Sequence, residues 1–203
     1  MGSPIGFGER PAIMVIDMQN DFIDPRAIST VAPASQEIIP HIKRVLDMAR
    51  AKKVPVFYTR GLVNPDGVGE SLWRFKMKSH RDALCQIDGT WGAEITTELA
   101  PQPGDVVINK RRPSAFFRTE LEVFLHGLQI DTLIFCGASV SGCVRASVLD
   151  AFMRDYRCMI PRECVADRHA DVYEANLFDM DSKYADVMQV DEVYQYLEGL
   201  PSR

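Results

Sequence analysis

Six short apolar runs punctuate the chain: Ala12–Ile16, Val54–Tyr58, Asp105–Ile108, Thr132–Phe135, Cys158–Ile160 and Ala185–Met188. Each is continuous rather than alternating, and most are rich in β-branched residues. Strands buried on both faces of a parallel sheet carry this pattern. Between them the period changes to that of helices. Ile38, Ile42, Val45, Leu46 and Ala49 share one face of a predicted helix ending near Lys52. Thr119 and Glu122 have the spacing of a capping box ahead of Leu121, Phe124, Leu125 and Leu128. Val144, Val148, Ala151 and Phe152 mark another amphipathic helix, Val172 to Lys183 a further one, and a last helix follows Asp191.

Strands alternating with helices predict an α/β fold: a single doubly wound domain around a mostly parallel six-stranded sheet, with helices on both faces. Crossovers in such a sheet are right-handed. The segment from Gly61 to Gly104 breaks the rhythm with Gly, Pro, Trp and charged residues. A connection of that length in a compact domain usually carries a binding loop or lid, with a tolerated surface insertion as the plainer alternative.

Composition narrows the function classes. The 203 residues are 46% hydrophobic and 25% charged, as in an ordinary soluble globular protein. No linker, repeat or low-complexity tract divides them. A net charge of -5 argues against general nucleic-acid binding, which requires a basic footprint. No apolar run approaches the ~20 residues needed to span a bilayer. The start, Met1 to Pro4, lacks the basic and apolar regions of a signal peptide, and cysteines without paired spacing point to a reducing compartment, so the expectation is a cytoplasmic protein. The five cysteines have no paired spacing, which implies neither a disulfide framework nor a zinc site. The four histidines are scattered, and no metal is expected.

Three residues fall at the carboxyl ends of different predicted strands: Asp17 after the first, Lys110 after the third, and Cys143 beyond the glycine-bearing turn that follows the fourth. In open α/β sheets that edge is where ligands bind. Cys143 opens a predicted helix, where free N–H groups and the helix dipole favour a thiolate and can hold an oxyanion. A cysteine by itself is more often a small buried hydrophobe, and Cys136, inside the fourth strand, fits that description. Asp17 at an apolar sheet end is costly unless paired, and Lys110 is a candidate partner. Taken singly, Asp17 reads equally as a cap shared with Gln19, Asn20 and Asp21, and Lys110 as one cation of the run Lys110 to Arg112.

Three strings carry a family resemblance. Val15-Ile16-Asp17-Met18-Gln19-Asn20-Asp21-Phe22 resembles the opening motif of the isochorismatase-like cysteine hydrolases. The stretch from Asn109 to Phe117 resembles their lysine motif, and that from Gly137 to Ser147 their nucleophile motif. The likeness spans approximately Pro11 to Val190, the expected core of a domain running over residues 1–203. The strings Ser114-Ala115-Phe116-Phe117, Ser141 to Ala146 and Ala166-Asp167-Arg168 are similar to those of N-carbamoylsarcosine and maleamate amidases.

The resemblance implies a catalytic triad of Asp17, Lys110 and Cys143, a cis peptide joining Ala138 and Ser139, and an oxyanion held by the Ser139 and Cys143 N–H groups. It implies a cofactor-free hydrolase that releases ammonia or an amine from a small linear amide or ureido substrate through a thioester. It also implies a homodimer or homotetramer. The metal-binding Asp and His residues of nicotinamidase relatives are absent from Thr59 to Asn64. Isochorismate-cleaving relatives need no cysteine nucleophile, so Cys143 favours amide chemistry. Arg168 is the candidate for pairing with a substrate carboxylate, because its guanidinium fork suits bidentate contact. A solvated pair with Asp167 or Asp171 is the alternative. Phe22, Trp73, Trp91 and Phe117 are candidate apolar walls. The competing readings are a biuret-, ureidoacrylate- or isochorismate-directed relative, a metabolite-binding protein without turnover, and a thiol redox protein.

Overall fold

The computed structural model describes residues 2–27, 32–66, 68–69, 72–76 and 85–201. Seven strands form one sheet: β1 (Pro11–Ile16), β2 (Val56–Gly61), β3 (Val106–Lys110), β4 (Thr132–Ala138), β5 (Arg157–Pro161), β6 (Val165–Ala166) and β7 (Asp186–Met188). Their order is β3-β2-β1-β4-β5-β7, with β6 paired to the end of β4, and every pair is parallel. All six expected strands are present. The seventh, β6, has two residues and carries no periodic signal of its own.

Among the described residues the helices are α1 (Asn20–Ile23), α2 (Ala32–Ala51), α3 (Leu72–Lys76), α4 (Leu121–Gly127), α5 (Arg145–Phe152), α6 (Ala170–Lys183) and α7 (Val190–Gly199). The two-residue period of β1 divides them between the faces. Ile13 and Val15 pack with Ile42, Val45 and Leu46 of α2 and with Val193 and Leu197 of α7. Ala12, Met14 and Ile16 pack with Leu121 and Leu125 of α4, Val148 of α5, and Leu177 and Met180 of α6. Each large side chain buried this way contributes about 1.5–3 kcal/mol. No described helix is long and apolar enough to cross a membrane.

The expected cap forms only in part. Glu120 stands directly before α4, and its side chain makes no capping bond. Thr119 Oγ1 accepts the Leu121 N–H at 3.4 Å, while its hydroxyl donates to the Ala115 carbonyl. In the long connection after β2, short turns at Trp91–Ala93 and Thr97–Leu99 precede β3. Much of its first half lies outside the described residues, and with it the question of a lid.

The strand order reverses between β1 and β4. In open α/β sheets the carboxyl ends at such a reversal are where ligands bind, because the connections leave the two strands in opposite directions. Asp17 and Cys143 flank that point.

Candidate active site

Asp17 leaves β1 in a left-handed backbone conformation, φ +48°, which aspartate tolerates better than most residues. Its N–H donates to Thr59 Oγ1 at 3.1 Å, and its Oδ1 accepts the Thr59 hydroxyl proton at 2.6 Å. Lys110, the last residue of β3, reaches past the end of β2 to place Nζ 2.7 Å from Asp17 Oδ2. Both side chains are buried. Although that contact is close, Oδ2 makes no aligned hydrogen bond. Lys110 Nζ also donates to Cys143 Sγ at 3.4 Å and to the Arg112 carbonyl at 3.2 Å. Three residues far apart in sequence thus meet around one ammonium group.

The charges are coupled. Burial lowers the pKa of Lys110, but the neighbouring Asp17 carboxylate and Cys143 sulfur outweigh it and raise the pKa above the usual lysine range. The Cys143 thiol is pushed up to about 12, by burial first and the Asp17 carboxylate second, against the opposing pull of Lys110. The helix-start setting, which by itself favours a thiolate, is outweighed here. Helix-start stabilisation assumed a regular first turn and no nearby anion. Here the cysteine is half-buried beside a carboxylate, and Gly142 before it is non-helical at φ -115°, ψ -107°. The resting site is therefore an Asp–Lys ion pair facing a neutral thiol.

The turn that carries the thiol is held from several sides. Gly137 has φ +111°, and a Cβ there would lie 2.1 Å from the Ile16 carbonyl oxygen, so β4 can pass β1 at this level only with glycine. The Ala138–Ser139 peptide is cis. The Ser139 carbonyl accepts N–H bonds from Gly142 at 3.0 Å and Val144 at 3.1 Å, closing a wide turn. The buried Asp167 clamps it from outside: Oδ2 accepts the Ser141 N–H at 2.6 Å and Oδ1 the Arg168 N–H at 2.8 Å. Ser147 Oγ donates to the Cys143 carbonyl at 2.7 Å and accepts the Ala115 N–H at 2.9 Å, tying the nucleophile turn to the lysine segment.

The residues after Asp17 hold the returning long connection. Gln19 Oε1 accepts the Gly61 N–H, and its Nε2 donates to the Gly61 and Ala93 carbonyls. Asn20 Nδ2 donates to the Trp91 carbonyl at 2.8 Å, and Asp21 Oδ2 accepts the Gln86 N–H. A Cβ on Gly92 would lie 2.1 Å from Asp21 Oδ1, so the connection packs tightly there.

The other expected site residues are less close to the thiol. Arg168 lines a cleft of about 420 Å³ with His41, Arg162 and Tyr173, to which Asp17, Lys110 and Cys143 do not contribute. Its link to the nucleophile turn runs through Asp167. Phe22 is packed in the core layer beside α2, the plainer role for an aromatic in that position. Trp91 and Phe117 are about half exposed, with Arg26 stacked 4.7 Å from the Trp91 ring. The side chain of Trp73 lies outside the described residues. Among the described residues no three His, Cys, Asp or Glu side chains converge as a metal cage would need.

Sequence reasoning missed Thr59, Asp167 and Ser147. Thr59 enters the sequence reading only in the stretch that lacks metal ligands, Asp167 as part of a resemblance string and a solvated partner of Arg168, and Ser147 as one residue of the nucleophile motif. The buried strand context of Thr59, one residue beyond an apolar run and one beyond the Val15–Tyr58 pair of the β1–β2 ladder, is the signal that finds it.

The Isochorismatase domain model matches residues 11–192 of the chain. The N-carbamoylsarcosine amidase of Arthrobacter sp. is 43% identical over 202 residues, covering 97% of this chain and 75% of that enzyme. The maleamate amidohydrolase of Pseudomonas putida is 38% identical over 200 residues, covering 98% of this chain and 92% of that enzyme. A cysteine hydrolase from Pseudomonas syringae superposes with a TM-score of 0.90 at 26% identity, over 99% of this chain and 100% of that one.

Proposed function

The chain belongs to the isochorismatase family of hydrolases, and from that premise we propose that it is a cysteine amidohydrolase of small linear amides or ureido compounds. The observation that carries this reading is the half-buried Cys143 thiol beside a buried Asp17–Lys110 ion pair at the point where strand order reverses. Its relatives named as N-carbamoylsarcosine amidase and maleamate amidohydrolase support the substrate class.

The mechanism follows from the charges. Asp17 takes the thiol proton as Cys143 Sγ attacks the substrate carbonyl carbon, forming a C–S bond. Lys110, 3.4 Å from the sulfur, stabilises the negative charge there as it leaves the carboxylate. The Ser139 and Cys143 N–H groups hold the tetrahedral oxyanion. Asp17 then gives its proton to the departing nitrogen as the C–N bond breaks, releasing ammonia or an amine. A water molecule, deprotonated by the same carboxylate, hydrolyses the thioester and regenerates the thiol. Arg168, joined to the nucleophile turn through Asp167, is the residue proposed to hold the carboxylate of the substrate.

A thiol redox role has less support. Cys136, the cysteine nearest in sequence, lies in the core layer on the opposite sheet face from the one Cys143 packs against. The test is ammonia release from a panel of N-carbamoyl amino acids, maleamate-like half-amides and neutral amides. Turnover confined to the first two classes is expected, and no turnover of any amide would overturn the reading.

A further inference from the structure

We propose that Thr59 is a positioning residue for the base: it commits Asp17 Oδ1 and so makes Oδ2 the oxygen that carries the proton. The proposal rests on the amidohydrolase reading above. Thr59 lies on β2, one residue beyond the Val15–Tyr58 pair of the β1–β2 ladder, and is fully buried. A threonine hydroxyl has one proton to give. Here it goes to Asp17 Oδ1 at 2.6 Å, while Thr59 Oγ1 accepts the Asp17 N–H at 3.1 Å. Those two bonds form a closed ring between the side chain of Thr59 and both ends of Asp17. They hold the left-handed backbone of Asp17 and fix the rotation of its carboxylate together.

The consequence is an asymmetric carboxylate. Oδ1 already accepts a proton that Thr59 cannot release without losing its only donor. Oδ2 is buried, lies 2.7 Å from Lys110 Nζ and has no aligned hydrogen bond. It is the oxygen with capacity for the thiol proton. When the Cys143 S–H bond breaks and an Oδ2–H bond forms, the charge on Asp17 disappears and that on sulfur appears. The Lys110 ammonium, between them, needs only to shift its contact from one to the other. A freely rotating carboxylate would divide its time between productive and unproductive orientations.

Packing does not require the hydroxyl, since valine has the same shape and suits a buried strand better. Thr59→Val is expected to lower kcat about ten- to hundredfold with KM within about twofold, a part of the 10²–10⁴ that a general base supplies. Thr59→Ser, which keeps the hydroxyl, is expected to recover kcat to within about threefold. The second readout is the rate at which iodoacetamide alkylates Cys143 without substrate, expected to fall in Thr59→Val and recover in Thr59→Ser. Should Thr59→Val be insoluble, Thr59→Ala, which leaves space beside the carboxylate, takes its place. Wild-type kcat and alkylation rate in the valine variant would overturn the proposal, as would equal losses in the valine and serine variants. If the wild type hydrolyses no amide, the function reading fails by itself, and the alkylation rates still decide the role of Thr59.

Discussion

Lys110 Nζ stands 2.7 Å from Asp17 Oδ2, with each side chain at most 2% exposed. A buried pair of this kind stabilises the fold only while both members are present. Taking one away leaves an uncompensated charge in a low-dielectric site. Lys110→Met should therefore lower stability by about 3–5 kcal/mol, read by urea unfolding. Combining it with Asp17→Asn should restore most of that stability and none of the activity. Equal stability of the single and double variants would show that the two charges are not coupled.

Cys143 should be the first cysteine alkylated by iodoacetamide, because it is half-buried while Cys136, Cys158 and Cys164 are fully buried and Cys85 is 5% exposed. The pH dependence should differ from that of a free thiol. Burial and Asp17 raise the thiol pKa, so the thiolate fraction is still climbing where a free cysteine, pKa about 8.5, has levelled off. The labelling rate should keep rising from about pH 8 to about pH 10. A plateau centred below neutrality would mean that Lys110 outweighs Asp17 and that the resting group is a thiolate.

The strands were legible in the sequence because each is a short continuous apolar run between turn residues, which only a doubly covered parallel sheet produces. The placement of Asp17 and Lys110 at the sheet's edge was legible because each follows such a run within two residues, and that of Cys143 because it follows the glycine-bearing turn after the fourth run. What stayed hidden depends on partners supplied from elsewhere. The raised pKa of Cys143 follows from its burial and from a carboxylate more than a hundred positions earlier, neither of which local helix-start reasoning contains. The clamp at Asp167 needs β6, whose two residues are placed by pairing with Gly137 and Ala138 rather than by any pattern of their own. The long connection carries no period, and its attachment by Gln19, Asn20 and Asp21 is visible only once the side chains meet it.

Asp167 accepts two backbone N–H groups, one from the nucleophile turn and one from the start of the next segment. Asp167→Ala leaves both without their acceptor, at a cost of about 1–3 kcal/mol each where water cannot replace it. Its thermal midpoint should fall, and kcat should fall further than the loss of folded protein explains, since Ser141 helps set the turn that aims the thiol. Unchanged kcat at a temperature where the variant is fully folded would restrict Asp167 to a stabilising role.

Arg168 is the residue by which the proposed substrate carboxylate would be read. Arg168→Ala should raise KM sharply for an anionic substrate and spare a neutral amide of similar size. Losing one partner of a charge-assisted pair in a partly dry pocket costs roughly 2–5 kcal/mol, or about thirtyfold to several thousandfold. Arg168→Lys should recover only part, because a point charge does not reproduce the planar two-bond fork. Paired kinetics on an acid and its neutral analogue decide it. Equal losses on both would assign Arg168 to the 420 Å³ cleft and the support of Asp167 rather than to substrate.

The central claim is that Cys143 Sγ forms the bond to the substrate carbonyl. Its most direct measurement combines turnover of Cys143→Ala with mass spectrometry of acid-quenched wild-type enzyme during hydrolysis of the best amide in the panel. The account predicts a loss of at least about 10⁴-fold in kcat for the variant. In the wild type it predicts an acyl mass on the peptide containing Cys143 and on none of the other four cysteines. Retention of more than about a tenth of wild-type kcat by Cys143→Ala would contradict it, because no covalent route through that sulfur would then be carrying the reaction.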